Sequence, residues 1–392
     1  RMQVRAALLD GLRWVQECDS EIKGSDAGAL LFLPVLEGKR GAGKNDYGTS
    51  ERGKLMRDSM ISRVKTHREE RYDPVSVAYM KMLREGNKTK KVYDVDPYAE
   101  VYQFRENVYA ILKDNLDGGY ASWIFLVNGP ERSMLIDTGW GLGDLKGLAE
   151  QLSGGKPLLV VNTHNHMDHA YGNCQFDTVY CHEYCAPYLK MQNEHMWDYV
   201  LDGHGSGKWV EFDEKDLIRF RPYRIIGCRN HHMFDLGDGY EIELIWLPGH
   251  AAGGAGFLDK KNRILFCGDA FISMRVGIFA PKTMSALGGP HWVKGNEGII
   301  ERPYSQYGTV RAARDEAVKL AERLDEFDSI FPGHFALDID SYVVKNTADA
   351  LCEIVENPDS FDYEEKRFNG SVIRIKQVRN FGTVAYRKET VE

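Results

Sequence analysis

Three histidines and one aspartate lie within six residues, in the segment HNHMDH that begins at His164. The apolar residues 158–161 directly before it predict a buried strand, so the cluster should lie on the loop that leaves this strand. Imidazole and carboxylate groups together suit borderline divalent metals such as zinc, iron and manganese. In an extended segment alternate side chains share a face, so His164 and His166 can bind one ion together. Asp168 and His169 lie further along, in position to hold a second ion.

Three further residues of ligand type follow predicted strands later in the chain. His250 comes after the alternating residues 240–246, Asp269 after the apolar residues 263–268, and His334 after a short apolar run. Catalytic groups gather in such places when strands converge on one edge of a sheet. A single histidine after Pro-Gly is usually a surface turn residue. Seven ligand-type residues in this order instead indicate a metal site.

The order His-x-His-x-Asp-His, followed by His, Asp and His after strands, resembles the metallo-β-lactamase superfamily of αβ/βα hydrolases. Residues 135–139, LIDTG, also resemble the family's first motif, in which Asp137 would support the metal centre without being a ligand. The resemblance covers about residues 100–340. It implies an α/β fold, a four-layer αβ/βα sandwich. In the best-known β-lactamases of the superfamily the position of Asp269 is a Cys or is not a ligand, so an Asp here is more similar to the glyoxalase II, lactonase and phosphodiesterase side.

The resemblance also implies a ligand arrangement and a reaction. The implied ligands are His164, His166 and His250 for one metal, Asp168, His169 and His334 for the other, and Asp269 as the bridge. Zinc is the expected metal, with manganese and iron(II) as alternatives. A hydroxide that bridges the two ions would attack a carbonyl ester, thioester, lactone or amide of a small molecule, because coordination lowers the pKa of water to about 7.

Two other reactions are considered on the same scaffold. One is a phosphodiesterase or nuclease, but the formal net charge of −8 argues against a nucleic-acid partner, which requires a clustered basic face. The other is a mononuclear iron enzyme that resembles the sulfur dioxygenases, a class that uses only the two-His, one-Asp part of the ligand set. The filled positions Asp168, His169 and His334 favour two metals.

The chain is 392 residues long, which exceeds a typical single domain. We predict an N-terminal, mostly helical extension over residues 1–95 and a hydrolase domain over 96–392. Residues 38–44 match the first seven positions of a phosphate-binding loop, but Asn45 stands where that motif needs a hydroxyl group, so a flexible basic loop is the preferred interpretation. The extension could cover the active site or form a homo-oligomer interface.

Two insertions are expected in the hydrolase domain, near residues 183–235 and 271–307. Both are rich in aromatic residues, and long loops near a site are usually lids or substrate walls. For the first insertion, an amphipathic helix on the outer surface is an equal alternative. The second starts directly after Asp269, so we expect it to line a pocket for an organic substrate. The candidate pocket residues are Phe279, His291, Trp292, Tyr304 and Tyr307.

Secondary structure follows from hydrophobic periodicity and turn signals. Helices are predicted from Pro74 to the Gly-Asn pair at 86–87, and over 145–152, 310–324 and 342–355. Strands are predicted over 108–112, 122–127 and 134–136, and a C-terminal hairpin over 371–386. The seven cysteines, an odd number, predict reduced thiols and a cytoplasmic protein. No apolar run is long enough for a transmembrane helix, so no membrane partner is expected.

Overall fold

A computed structural model describes residues 65–66, 74–204, 207–280, 282, 294–366 and 370–392. The phosphate-loop-like segment 38–44 and most of the predicted N-terminal extension lie outside these residues. So do the candidate pocket residues His291 and Trp292. The homo-oligomer, the cytoplasmic location and the domain boundary near residue 95 stay predictions.

The described residues form twenty strands and six α-helices, together with short 3-10 turns. In chain order the strands are β1 (Lys65–Thr66), β2 (Lys91–Tyr93), β3 (Asp96–Arg105), β4 (Val108–Lys113), β5 (Ser122–Asn128), β6 (Ser133–Ile136), β7 (Leu158–Val161), β8 (Thr178–His182), β9 (Val210–Glu211), β10 (Arg224–Cys228), β11 (Met233–Asp235), β12 (Glu241–Trp246), β13 (Ala255–Asp259), β14 (Ile264–Gly268), β15 (Arg275–Ile278), β16 (Ser329–Pro332), β17 (Ile339–Asp340), β18 (Tyr363–Lys366), β19 (Val372–Val378) and β20 (Gly382–Tyr386). The helices are α1 (Pro74–Gly86), α2 (Leu145–Ser153), α3 (Met167–Ala170), α4 (Ala186–Leu189), α5 (Val310–Ala321) and α6 (Tyr342–Glu356).

Two large sheets form the centre of the fold. The first has the strand order β10-β8-β7-β6-β5-β4-β3-β2, and its strands from β10 to β6 are parallel. The second has the order β11-β12-β13-β14-β16-β17, in which β14 and β16 are parallel. A smaller sheet, β15-β20-β19-β18, joins a strand of the second predicted insertion to the C-terminal strands, and β1 pairs with β9.

The two large sheets pack face to face through a shared aromatic and aliphatic core. The ring centroids of Phe125 and Phe266 lie 5.0 Å apart, and Phe331 contacts Phe125 edge-on at 5.8 Å. These three side chains belong to β5, β14 and β16, so they join strands of both sheets. All three are almost completely buried, and burial of such a side chain contributes about 1.5–3 kcal/mol each.

Helices cover the outer face of each sheet. Leu145 and Leu148 of α2 are fully buried against the first sheet, in a cluster with residues of β3 and β5. Helices α5 and α6 pack on each other, and both contribute to the core beside the second sheet. The layers are therefore helix, sheet, sheet and helix, and the predicted αβ/βα sandwich is confirmed.

Most of the predicted elements are confirmed, with two differences. Helix α2 begins after Asp144, which caps it by accepting a hydrogen bond from Gly147 N at 2.8 Å, and it ends at Gly154 in the left-handed conformation. The predicted helix over 310–324 ends earlier, at Ala321, because the chain tightens into a 3-10 turn at Leu324–Glu326. The C-terminal hairpin is confirmed. Strand β15, which pairs with β20 of this hairpin, was not predicted, because its residues lie in the insertion that was expected to line a pocket.

Helix α1 is anchored to the first sheet by an ion pair. Arg84 Nε lies 2.9 Å from a carboxylate oxygen of Glu100, and Lys90 Nζ lies 3.0 Å from the other oxygen. Met80 and Leu83 pack against the core between the sheets. Of the described helices, each is too short or too polar to cross a lipid bilayer.

Candidate metal centre

All seven predicted ligand residues come together where strands of the two large sheets end. His164 and His166 follow β7, and the next two ligand candidates lie on the short helix α3. His250 follows β12, Asp269 follows β14, and His334 follows β16. Their ligand atoms form two groups, and within each group the atoms lie within 4.8 Å of one another. The first group contains His164, His166, His250 and Asp269, and the second contains Asp168, His169 and His334.

In the first group, nitrogen atoms of two histidines face each other. His250 Nε2 lies 3.0 Å from His166 Nδ1, and it lies 3.4 Å from Asp269 Oδ2. His164 Nε2 lies 3.9 Å from the same oxygen. The three imidazoles and one carboxylate therefore converge on a common point.

The second group has a similar arrangement. His169 Nε2 and His334 Nε2 are 3.3 Å apart, and Asp168 Oδ2 lies 3.5 Å and 3.2 Å from them, respectively. Asp269 also reaches this group, because its Oδ1 lies 3.4 Å from His169 Nε2 and its Oδ2 lies 3.4 Å from His334 Nε2. The Asp269 carboxylate thus lies between the two groups.

Hydrogen bonds at the far side of the rings fix the direction of three histidines. His250 Nδ1 donates to the carbonyl oxygen of Gly277 at 2.9 Å, and His334 Nδ1 donates to that of Ala121 at 2.9 Å. His169 Nδ1 lies 2.8 Å from Asp137 Oδ2. A ring whose Nδ1 carries the proton presents the lone pair of Nε2, which is the form that binds a metal.

Asp137 connects two loops beneath the centre. Its Oδ1 accepts a hydrogen bond from Thr163 N at 2.7 Å, and its Oδ2 accepts from Thr163 Oγ1 at 2.7 Å and from His169. The residue is 1% exposed and has a left-handed backbone with φ of 65°. Asp137 therefore holds His169 and the start of the histidine loop without facing the centre itself.

Gly333 allows the last ligand loop to approach the others. A Cβ at this position would lie 2.6 Å from Asp269 Oδ1 and 2.6 Å from His169 Cε1. Real Cβ atoms do not come so close to other heavy atoms, and these neighbours are held in place. Glycine is therefore required directly before His334, which gives the Pro-Gly-His sequence a steric reason.

Burial and mutual charge shift the pKa values of the ligand residues in opposite directions. Burial alone would raise the pKa of Asp168 and Asp269, but the neighbouring imidazoles hold both values well below the usual range. Burial would lower the pKa of His169, but the adjacent carboxylates raise it to about 9. The pKa of His334 is raised for the same reason, whereas burial lowers that of His164. Without metal, protons on some of these histidines balance the carboxylates, as metal cations would do.

The residues fit two divalent ions. His164 Nε2 and Asp269 Oδ1 are buried and have no hydrogen-bond partner among the described residues. A buried acceptor in this state opposes folding, and one cation in each group would satisfy both atoms. Five imidazoles with two carboxylates are a donor set suited to zinc and to other borderline metals.

The three candidate pocket residues that the structure describes separate into two locations. The carbonyl oxygen of Tyr307 accepts a hydrogen bond from Gly249 N at 3.0 Å, so Tyr307 is attached to the loop that carries His250. Its ring stacks on the ring of Tyr184, with centroids 4.9 Å apart. The ring centroid of Tyr304 lies 4.4 Å from that of Tyr184. Phe279 packs elsewhere, against the small C-terminal sheet.

The sequence did not single out Trp246, Tyr184 or Asn115 as individual site residues. The ring centroids of Trp246 and Tyr184 are 5.6 Å apart, and Trp246 also contacts the ring of Tyr307. Asn115 donates a hydrogen bond from Nδ2 to Asp168 Oδ2 at 3.0 Å. Tyr184 was within a predicted aromatic insertion and Trp246 lies four residues before His250, so both had a weak signal. Asn115 lies in a turn-rich loop and had none.

Comparisons with known proteins show what the chain is similar to. A family model described as the metallo-beta-lactamase superfamily matches residues 117–351. The acyl-coenzyme A thioesterase MBLAC2 of Homo sapiens is 26% identical over 252 residues, which is 59% of this chain and 78% of that protein. MBLAC2 of Gallus gallus is 28% identical over 167 residues, which is 39% of this chain and 58% of that protein. A solved metallo-beta-lactamase from Pontibacter korlensis has 18% identity and a TM-score of 0.41, covering 65% of this chain and 99% of its own.

Proposed function

The chain belongs to the metallo-beta-lactamase superfamily and is a hydrolase, and from this premise we propose that it hydrolyses an acyl thioester with two divalent metal ions. The observation that carries the proposal is the pair of ligand groups that share the Asp269 carboxylate. A centre for a single ion would use only one of these groups. All three residues of the second group are buried, whereas two of the first group are half-buried, and in both groups the ligand atoms lie within 4.8 Å of one another.

The proposed ligands of one ion are His164, His166 and His250, those of the other are Asp168, His169 and His334, and Asp269 contacts both. When bound, the ions would lower the pKa of a water molecule to about 7 and polarise the carbonyl oxygen of the substrate. Zinc is the proposed metal, with manganese and iron(II) as alternatives. The chain's own contribution is to hold the ligands rigidly, through the hydrogen bonds of His169, His250 and His334 at Nδ1.

Two arguments support a thioester among the carbonyl substrates. The curated relatives bear the name acyl-coenzyme A thioesterase. A thiol has a pKa of about 8.5, far below that of an alcohol or an amine, so the thiolate leaves without a proton donor. This suits a centre in which the Nδ1 atoms of His169, His250 and His334 already have partners and their Nε2 atoms face the proposed metals.

Metal content and substrate preference test this proposal together. We expect about two zinc or manganese ions per chain by elemental analysis. In a panel of an acyl thioester, a lactone, a β-lactam and a phosphodiester, we expect kcat/KM for the thioester to exceed the others by at least about tenfold, which corresponds to 1.4 kcal/mol of transition-state preference. One iron ion per chain and no hydrolysis of any panel member would overturn the dinuclear hydrolase. A clear preference for the phosphodiester would overturn the substrate class only.

We also propose that the aromatic wall of Tyr184, Tyr304 and Tyr307 contacts the substrate. Tyr304 is 40% exposed, so part of its ring remains available. Its replacement by alanine should raise KM for a thioester with a long or aromatic acyl group by about 2–12-fold, because an aromatic contact is worth about 0.5–1.5 kcal/mol. Steady-state kinetics on a series of acyl thioesters would measure the change, and kcat should stay within about twofold.

Two variants serve as controls for the wall. Tyr304→Phe keeps the ring and should retain the KM of the parent protein. Tyr342→Ala removes an exposed tyrosine on α6, in the outer helical layer, and should leave both constants unchanged. An unchanged KM in Tyr304→Ala for every substrate would show that this ring does not contact them.

A further inference from the structure

The loop between β4 and β5 supplies a side chain to the second ligand group. Asn115 Nδ2 donates to Asp168 Oδ2 at 3.0 Å, and Asn115 is only 7% exposed. Asp168 Oδ2 is the same oxygen that lies 3.2 Å from His334 Nε2 and 3.5 Å from His169 Nε2. The amide therefore contacts the atom at which the three ligand candidates of this group converge.

The backbone at Asn115 and directly after it is fixed. Its carbonyl oxygen accepts a hydrogen bond from Gly118 N at 3.0 Å, and the side chain of Asp117 accepts one from Gly119 N at 2.8 Å. The next residue, Leu116, is completely buried in a cluster with Trp140 and other aromatic residues. A side chain on such a backbone has few alternative positions, so its hydrogen bond restricts the Asp168 carboxylate.

The other end of the amide is poorly satisfied. Asn115 Oδ1 is buried and has no hydrogen-bond partner among the described residues. Exchanging the positions of Oδ1 and Nδ2 would not help, because Oδ1 would then face the Asp168 carboxylate, and both groups are acceptors. A buried acceptor without a donor opposes folding, so an apolar side chain of similar size would serve the stability of this loop at least as well. The hydrogen bond from Nδ2 to Asp168 therefore explains an asparagine at this position better than any contribution of the side chain to folding stability does.

We propose that Asn115 is a positioning residue that fixes the Asp168 carboxylate for the second metal ion. This inference rests on the proposed function, in which Asp168, His169 and His334 hold that ion. Residues that orient metal ligands typically change metal affinity by about 10–100-fold when they are removed. The effect should be confined to the second ion, because Asn115 contacts a ligand of the second group.

The test is zinc affinity of the metal-free protein, measured by competition with a chromophoric chelator, together with its melting temperature. In Asn115→Leu we expect one zinc ion to bind as in the parent protein and the other to bind about 10–100-fold more weakly. The melting temperature of the metal-free variant should stay within about 3 °C of the parent. Asn115→Ala removes the same donor without adding an apolar side chain and should show the same loss of affinity.

Asn107→Leu is the matched control, because Asn107 Nδ2 donates to the Asn128 carbonyl oxygen and to Tyr240, at the other end of β4. It should lower the melting temperature and leave both zinc affinities unchanged. The inference would be overturned if both Asn115 variants bound both zinc ions as tightly as the parent protein. It would also be overturned if they lost affinity equally at both metal sites and their melting temperature fell strongly. If the parent protein itself binds only one zinc ion, the proposed dinuclear function fails, whatever the variants do.

Discussion

Asp269→Asn is expected to lower kcat/KM for thioester hydrolysis by about 10³-fold, because Asp269 is the one described carboxylate that contacts both ligand groups. Its Oδ1 lies 3.4 Å from His169 Nε2, and its Oδ2 lies 3.4 Å from both His250 Nε2 and His334 Nε2. Asparagine keeps the shape but provides one neutral oxygen, and its NH2 group would face the other cation. Metal ions contribute several kcal/mol of charge stabilisation in the transition state, and each 1.36 kcal/mol is a factor of ten.

The measurement is the initial rate of thiol release, with metal content determined on the same preparation. Asp259→Asn is the matched control, since Asp259 is also a fully buried carboxylate but is bonded to Tyr240 and Asn262. That variant should lose stability and retain kcat/KM within about threefold, because it contacts none of the proposed ligands. More than a tenth of the parent activity in Asp269→Asn, with two ions bound, would show that the carboxylate does not bridge them.

The seven ligand candidates could be singled out because most of them lie just after a strong local pattern. The apolar residues before His164 and before Asp269 indicate strands by themselves, and the confirmed strands β7 and β14 end where these patterns end. Asp137 follows β6 in the same way. The sandwich itself was predicted from the resemblance of this ordered ligand pattern to the metallo-β-lactamase superfamily.

The supporting contacts could not be predicted, because they join segments far apart in sequence. Gly277 orients His250 only because β15 pairs in parallel with β20, more than a hundred residues later. The alternation of residues in β15 is too short to indicate a strand, and its partner is set by tertiary packing. Asn115 is similar, since turn residues carry no signal for what their side chains contact across the fold.

Asp137→Ala is expected to lower the free energy of unfolding of the metal-free protein by about 3–5 kcal/mol, as does breaking a buried charged pair. The carboxylate accepts hydrogen bonds from Thr163 N, Thr163 Oγ1 and His169 Nδ1. Alanine would leave a buried N–H group and a buried imidazole without their acceptor. The left-handed backbone at φ of 65° adds strain that Asp and Asn tolerate better than Ala.

Asp137→Asn separates the structural contribution of this residue from its effect on the metal. Asparagine tolerates the left-handed backbone and keeps one acceptor for Thr163, so unfolding in urea should show a smaller loss, of about 1–3 kcal/mol. Its NH2 group cannot accept a hydrogen bond from His169 Nδ1, so the ring should lose the orientation that presents Nε2 to the centre. Zinc at the second group should therefore bind about 10–100-fold more weakly. Zinc affinities equal to those of the parent protein, in a variant of lower stability, would mean that Asp137 only joins the two loops and does not orient His169.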